Sequence, residues 1–144
     1  VAGRRLTPGG TLVLDSEGLA KLAAGDDRAR AHLTTALRRG ARVVVSAVTL
    51  TEVLRGGPRD AAVHHVLARI TVVPVDAATA RRAGELLGAT GLSGHRYAVD
   101  AVVAATALAQ ARPCLVLTSD PDDLHRLVEE PERVKAERVV VVHV

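Results

Sequence analysis

The chain has 144 residues, 48% hydrophobic and 24% charged, a length and balance that fit one domain, 1–144, around a single core. No apolar run approaches the ~20 residues a membrane helix needs, and Val1-Ala2-Gly3-Arg4-Arg5 leads into no apolar signal segment, so a cytoplasmic protein without membrane contact is expected. The formal charge of +3 admits a polyanionic partner, while Tyr97 as the one aromatic residue excludes a nucleic-acid surface built on several stacking rings.

Residues 1–10 read as a flexible N-terminal tail. Leu12–Leu14 reads as a short buried strand, followed by helical patterning over Glu17–Ala23 and Asp27–Arg39, with Gly40 as a stop. Arg42–Val45 is a second strand, and Ser46 caps a helix over Ala47–Leu54 that Gly56-Gly57-Pro58 ends. Asp60–Ala68 is helical, Ile70–Val73 is a third strand, and Asp76 caps a helix to about Ala89. Thr90 to Arg96 form a loop before a helix from about Tyr97 to Ala111. Leu115–Leu117 is a fourth strand, Pro121–Val128 a helix and Arg138–Val142 the last strand. Continuous apolar strands between helices predict a three-layer α/β/α sandwich with a central, mostly parallel sheet. Cys114 is alone, which excludes an internal disulfide and fits a reducing cytosol; in a buried strand it is expected to be inert. The basic residues are Arg except for Lys21 and Lys135. Arg suits phosphates, though a genome rich in G and C favours it whatever the function.

Four carboxylates interrupt apolar sequence. Asp15 closes Thr11-Leu12-Val13-Leu14, and Asp120 closes Cys114-Leu115-Val116-Leu117-Thr118-Ser119. Asp100 lies between Ala98-Val99 and Ala101-Val102-Val103, and Glu52 between Leu50-Thr51 and Val53-Leu54. An unpaired carboxylate in such surroundings costs several kcal/mol or gives up its charge. Four of them are stable together if they converge on a divalent cation.

Topology supplies the convergence. In doubly wound sheets, ligands sit beyond the carboxyl ends of the strands, where the winding reverses. If the fourth strand returns beside the first, Asp15 and Asp120 become neighbours there. Glu52 follows the second strand by less than two helical turns, and Asp100 starts a helix that must begin at the same edge. Mg²⁺ or Mn²⁺ prefers hard oxygen ligands and is often shared with substrate phosphates, and it can activate water for phosphodiester displacement.

The same residues carry a resemblance. Leu14-Asp15-Ser16, Val48-Thr49-Leu50-Thr51-Glu52-Val53, Ala98-Val99-Asp100-Ala101-Val102-Val103-Ala104-Ala105-Thr106-Ala107 and Leu117-Thr118-Ser119-Asp120-Pro121-Asp122-Asp123-Leu124 stand in order over Leu12 to Leu124. In that order and spacing the chain resembles PIN-domain ribonucleases, most of all the VapC toxins of type II toxin–antitoxin pairs. The resemblance implies a PIN-like fold, Mg²⁺- or Mn²⁺-dependent cleavage of RNA, a homodimer and a cognate antitoxin. Asp15, Glu52, Asp100 and Asp120 would then be the catalytic metal ligands. Glu17-Gly18 departs from the family, where an apolar or small residue is commoner.

Plainer readings stand beside these. Asp120, before Pro121 and three residues ahead of Asp123, has the pattern of a helix N-cap. Asp15 can cap the helix after it, and Glu52 can pair with Arg55; Asp100 has the poorest such alternative. Ser16, Thr118 and Ser119 can hold a carboxylate or a water, or serve as turn hydroxyls. Arg96 precedes the Asp100 helix at the mouth and is a candidate substrate contact. Asp26, Asp27, Asp60 and Asp76 read as caps or turns, Glu129, Glu130 and Glu132 as a surface loop, and His64-His65 as helix surface. The rivals to a toxin nuclease are a PIN nuclease without an antitoxin, a PIN-like binding module without turnover, and a receiver-like signalling domain. The receiver would want a Lys at the end of the last strand, where His143-Val144 stands.

Overall fold

The computed structural model describes residues 9–144. Val1 to Pro8, most of the expected tail, lie outside the described residues. Gly10 is buried, and its carbonyl accepts the Arg42 N–H at 3.0 Å.

Among the described residues, five strands build one sheet: β1 (Thr11–Leu14), β2 (Arg42–Ser46), β3 (Thr71–Val73), β4 (Cys114–Thr118) and β5 (Val140–His143). All neighbours are parallel, in the order β3-β2-β1-β4-β5. β1 is central, with Leu14 in register with Val45 on one side and Leu117 on the other. The helices are α1 (Ser16–Ala23), α2 (Asp27–Arg38), α3 (Leu50–Val53), α4 (Ala61–Leu67), α5 (Ala77–Thr90), α6 (Gly94–Leu108) and α7 (Pro121–Leu127).

Alternation along the strands divides the core in two. Val13, Val44 and Val116 pack against α5, α6 and α7 through Leu86, Ala101, Ala104, Ala105 and Leu124. Leu12, Leu14, Val43, Val45 and Leu117 face the other way, against Leu19 and Leu22 of α1, Ala29 and Ala36 of α2 and Val63 of α4. Both faces are covered, which is why the strands read as unbroken apolar runs. Each Leu or Val so buried contributes about 1.5–3 kcal/mol. Cys114 is fully buried, and burial pushes its thiol up to about 12, so it is inert as expected.

β1, β2 and β3 wind outward in one direction, and the chain then crosses back to lay β4 on the free side of β1. The switch point therefore falls between β1 and β4, where the two strand-end aspartates emerge. This order differs from the 2-1-3-4-5 sheet of receiver domains, which removes that alternative.

Several boundaries differ from the sequence reading. Ala47–Leu54 is not one helix: Ala47–Thr49 form a 3₁₀ turn and α3 covers only Leu50–Val53. Val48, Thr49 and Thr51 are β-branched and disfavour a longer helix, while the Ser46 hydroxyl accepts the Val48 N–H at 3.3 Å and starts the turn. α6 begins at Gly94, because the Ser93 carbonyl accepts the Tyr97 N–H at 2.9 Å. Asp100 is thus well inside α6 and not at its start. The Arg112 guanidinium covers the Leu108 carbonyl at 2.9 Å, and the helix stops there, short of Ala111. β5 starts later than expected, after a 3₁₀ turn over Lys135–Glu137. Glu130 is no surface-loop residue: it is buried and paired with Arg112 and Arg133, each at 2.7 Å. Burial alone would raise its carboxyl, and the two guanidinium groups hold it below its ordinary value.

Candidate active site

The pairing of β1 continues one residue past the strand. The Asp15 N–H donates to the Leu117 carbonyl at 3.2 Å, which seats Asp15 in the β1–β4 crevice with 7% of its surface exposed. Its Oδ1 accepts the Gly18 N–H at 2.7 Å and caps α1, so the capping alternative is realised at the same crevice. The Thr118 hydroxyl favours the charged form of this carboxylate and accepts the Asp120 N–H at 3.0 Å. Burial outweighs these bonds and raises the Asp15 carboxyl, with the charge of Glu17 adding to the rise. Gly18 has a packing reason. A Cβ there would stand 2.7 Å from the Leu117 carbonyl oxygen, so glycine lets the first turn of α1 rest directly on β4.

Asp100 stands half-buried on α6. Burial is the main cause that pushes its carboxyl up to about 6, followed by the charges of Glu52, Asp15, Asp123 and Asp120. Four carboxylates from three other segments, the end of β1, α3 and the start of α7, thus act on one side chain. Asp123 is the member that sequence reasoning used only to support a helix cap. Its signal was its place in the first turn of α7, three residues after Asp120.

Two of the four expected residues are not in apolar surroundings. Glu52 and Asp120 are exposed and form a rim, because the chain breaks into short turns at both places. Glu52 is not paired with Arg55, whose guanidinium donates instead to the carbonyls of Thr51, Glu52 and Leu54 at 3.0, 2.9 and 2.8 Å. Asp120 occupies the N-cap position of α7 but makes no capping bond.

Among the described residues, no three Asp, Glu, His or Cys side chains stand close enough to form a closed metal cage. The donor set is carboxylate oxygen throughout, and its mutual repulsion is what a divalent cation relieves. It fits Mg²⁺ or Mn²⁺ that keeps several waters and takes one or two protein carboxylates, not a caged ion.

The supporting residues fall around this centre. Thr118, 1% exposed, is bonded to the Asp120 amide and acts on the Asp15 carboxyl. Ser16 is the first residue of α1, and Ser119 lies between Thr118 and Asp120; both are half-buried. Arg96 is exposed in the first turn of α6, with its guanidinium 5.3 Å from the Tyr97 ring centre. It precedes Asp100 by four residues, about one helical turn. Thr49, ahead of α3, is fully buried and its hydroxyl has no hydrogen-bond partner.

The family model of the PIN domain matches residues 12–130. Among solved structures, VapBC2 from Rickettsia felis, bound to a DNA fragment from their promoter, superposes with a TM-score of 0.65 at 14% identity, over 92% of this chain and 98% of that one. DNA-bound VapBC from Salmonella typhimurium gives 0.62 at 19% identity, over 91% and 97%. At these identities the likeness is one of fold. No curated protein matches. No helix among the described residues is long and apolar enough to cross a membrane.

Proposed function

The chain belongs to the PIN domain family, and from that premise we propose that it is a metal-dependent endoribonuclease of the cytoplasm, the toxin of a toxin–antitoxin pair. One observation carries the proposal: the charges of Asp15, Glu52, Asp120 and Asp123 all act on half-buried Asp100, beside the switch point where such sheets bind ligands.

When bound, Mg²⁺ or Mn²⁺ would activate water and neutralise the charge developing on a phosphodiester. Asp15 and Asp100, the two least exposed carboxylates of the original four, would hold the ion. Glu52 and Asp120 on the rim would reach it directly or through its waters. Thr118 would keep Asp15 oriented, and Ser16 and Ser119 would hold water at the same crevice. Arg96 would meet the RNA backbone at the mouth. With one aromatic residue in the chain, phosphate and sugar contacts would outweigh stacking.

Two surfaces support the partners. An apolar groove of about 220 Å³ is lined by Leu22, Leu33, Leu37 and Val66, with Arg30 and Arg69 at its rim, and suits an amphipathic antitoxin helix with acidic flanks. Leu19, of the same helix as Leu22, is fully buried and does not line the groove. On α5, Ala77, Ala80 and Gly84 are exposed, and a Cβ added at Gly84 meets nothing within 4 Å, which supports close helix approach in a homodimer.

The test is cleavage of a mixed RNA pool by the purified protein with Mg²⁺ or Mn²⁺ added, and with EDTA as control. Discrete fragments that require the ion are expected. Intact RNA under every condition would leave a binding module as the better reading.

A further inference from the structure

Asp60 lies outside the acidic crevice, and its position suggests a cap for α4. It makes no capping bond to that helix. Only 6% exposed, it turns back toward the chain leaving α3. Its Oδ2 accepts the Arg55 N–H at 2.9 Å and the Gly56 N–H at 2.7 Å, and its Oδ1 approaches the Arg55 N–H at 3.2 Å. Bonds from backbone amides to an ionised carboxylate are among the stronger ones available. The turn requires Gly56, whose φ of +85° lies where other residues are strained.

The clasp closes on the segment that carries Glu52. α3 has four residues, too few to hold a helix by itself. Its carbonyl end is covered by the Arg55 side chain, and the Arg55 and Gly56 amides are held by Asp60. α3 packs on α1, which Asp15 caps, and the 3₁₀ turn before it packs on α6, which carries Asp100. Because Glu52 is exposed, the backbone of this short segment decides where its carboxylate stands. We propose that Asp60 is a positioning residue, which holds α3 through the Arg55 and Gly56 amides and thereby keeps the Glu52 carboxylate within reach of a divalent cation at the Asp15–Asp100 crevice. The inference rests on reading that crevice as a cation site.

The experiment is a Mn²⁺ titration followed calorimetrically on the full chain, for wild type, Asp60→Ala, Asp60→Asn, Glu52→Gln and the Asp60→Ala/Glu52→Gln double variant. Loss of a group that orients a ligand costs about 10- to 100-fold in metal affinity, and that weakening is expected for Asp60→Ala. Asp60→Asn should lose less, because its amide oxygen still accepts an N–H. Glu52→Gln should weaken binding by itself, and adding Asp60→Ala to it should change nothing more. With RNA as substrate, kcat should fall in parallel while KM holds.

Wild-type affinity in Asp60→Ala would overturn the proposal and leave the cation site standing. A weakening that persists in full in the Glu52→Gln background would also overturn it, because Asp60 would then act on the fold at large. If Asp60→Ala does not fold, wild-type affinity in Asp60→Asn overturns it. A wild type that binds no Mn²⁺ refutes the cation site itself, and the proposal with it.

Discussion

The Asp120 N–H donates to the hydroxyl of Thr118 at 3.0 Å, and the same hydroxyl favours the charged form of Asp15. One buried side chain therefore acts on aspartates of two different segments. Thr118→Val keeps the shape and removes the hydroxyl from both. RNA cleavage is expected to fall about 10- to 100-fold, with a stability loss of about 1 kcal/mol. Steady-state cleavage rates and urea unfolding measure the two effects, and undiminished cleavage would take Thr118 out of the site.

Asp100→Asn should abolish cleavage and leave the fold intact. At neutral pH the wild-type side chain is ionised against burial and four neighbouring charges, so the neutral amide relieves the helix. The expected Tm is unchanged or higher without metal, read by circular dichroism. Wild-type turnover in this variant would sink the assignment.

The pH dependence of stability follows from the same group. The Asp100 carboxyl is raised from 3.8 to about 6 in the folded protein, and Asp15 is raised as well. A carboxyl raised on folding binds its proton more tightly in the native state, so its contribution is full below about pH 4 and is lost as pH climbs through about 6. Metal-free wild type should lose Tm relative to Asp100→Asn across that window. Saturating Mg²⁺ or Mn²⁺ should restore it, because a ligand of the native state alone stabilises by mass action. Scanning calorimetry in EDTA and in Mn²⁺ checks this; parallel curves for the two proteins in both buffers would contradict it.

Thr49 offers a test of packing alone. Its hydroxyl is buried without a partner, and such a group costs about 1–3 kcal/mol. Thr49→Val preserves the volume and removes the hydroxyl, so the variant should be more stable by up to that amount in urea unfolding. A less stable variant would mean that the hydroxyl is satisfied in solution by water.

The exposed small residues of α5 lead to an assembly prediction. Light scattering at micromolar concentration should report twice the 15.0 kDa chain mass, and Gly84→Arg should return the monomer. A monomeric wild type would remove the dimer and leave the nuclease reading in place.

The parts legible in the sequence were those governed by local pattern. Unbroken apolar runs marked the strands, and an aspartate after Leu14 and another after Ser119 marked two strand exits on one edge. Asp100 announced itself as a charge within a run of Ala and Val. What stayed hidden depends on partners remote in sequence or on backbone detail. Glu130 looks like any loop glutamate until Arg112, from the segment after α6, folds over to meet it. Asp60 resembles a cap because the amides it holds lie upstream, around a turn that only the conformation of Gly56 allows. The exposure of Glu52 was not visible either, because β-branched residues split its helix and moved it to the rim.

The placement of β1 has a consequence for how the molecule comes apart. Among the described residues it is the only strand flanked on both sides by strands that are themselves flanked, and all four of its residues are buried. Native proteins open piecemeal, with sparsely packed periphery first and the core last. β3 is a three-residue edge strand with partly exposed side chains, so opening should begin there and spread through α4 to the Asp60 loop. Asp15, bonded to Leu117 just beyond β1, belongs to the most protected end of that order. Glu52 can therefore come and go on a faster clock than Asp15, and amide exchange should find Gly56 unprotected long before Leu14.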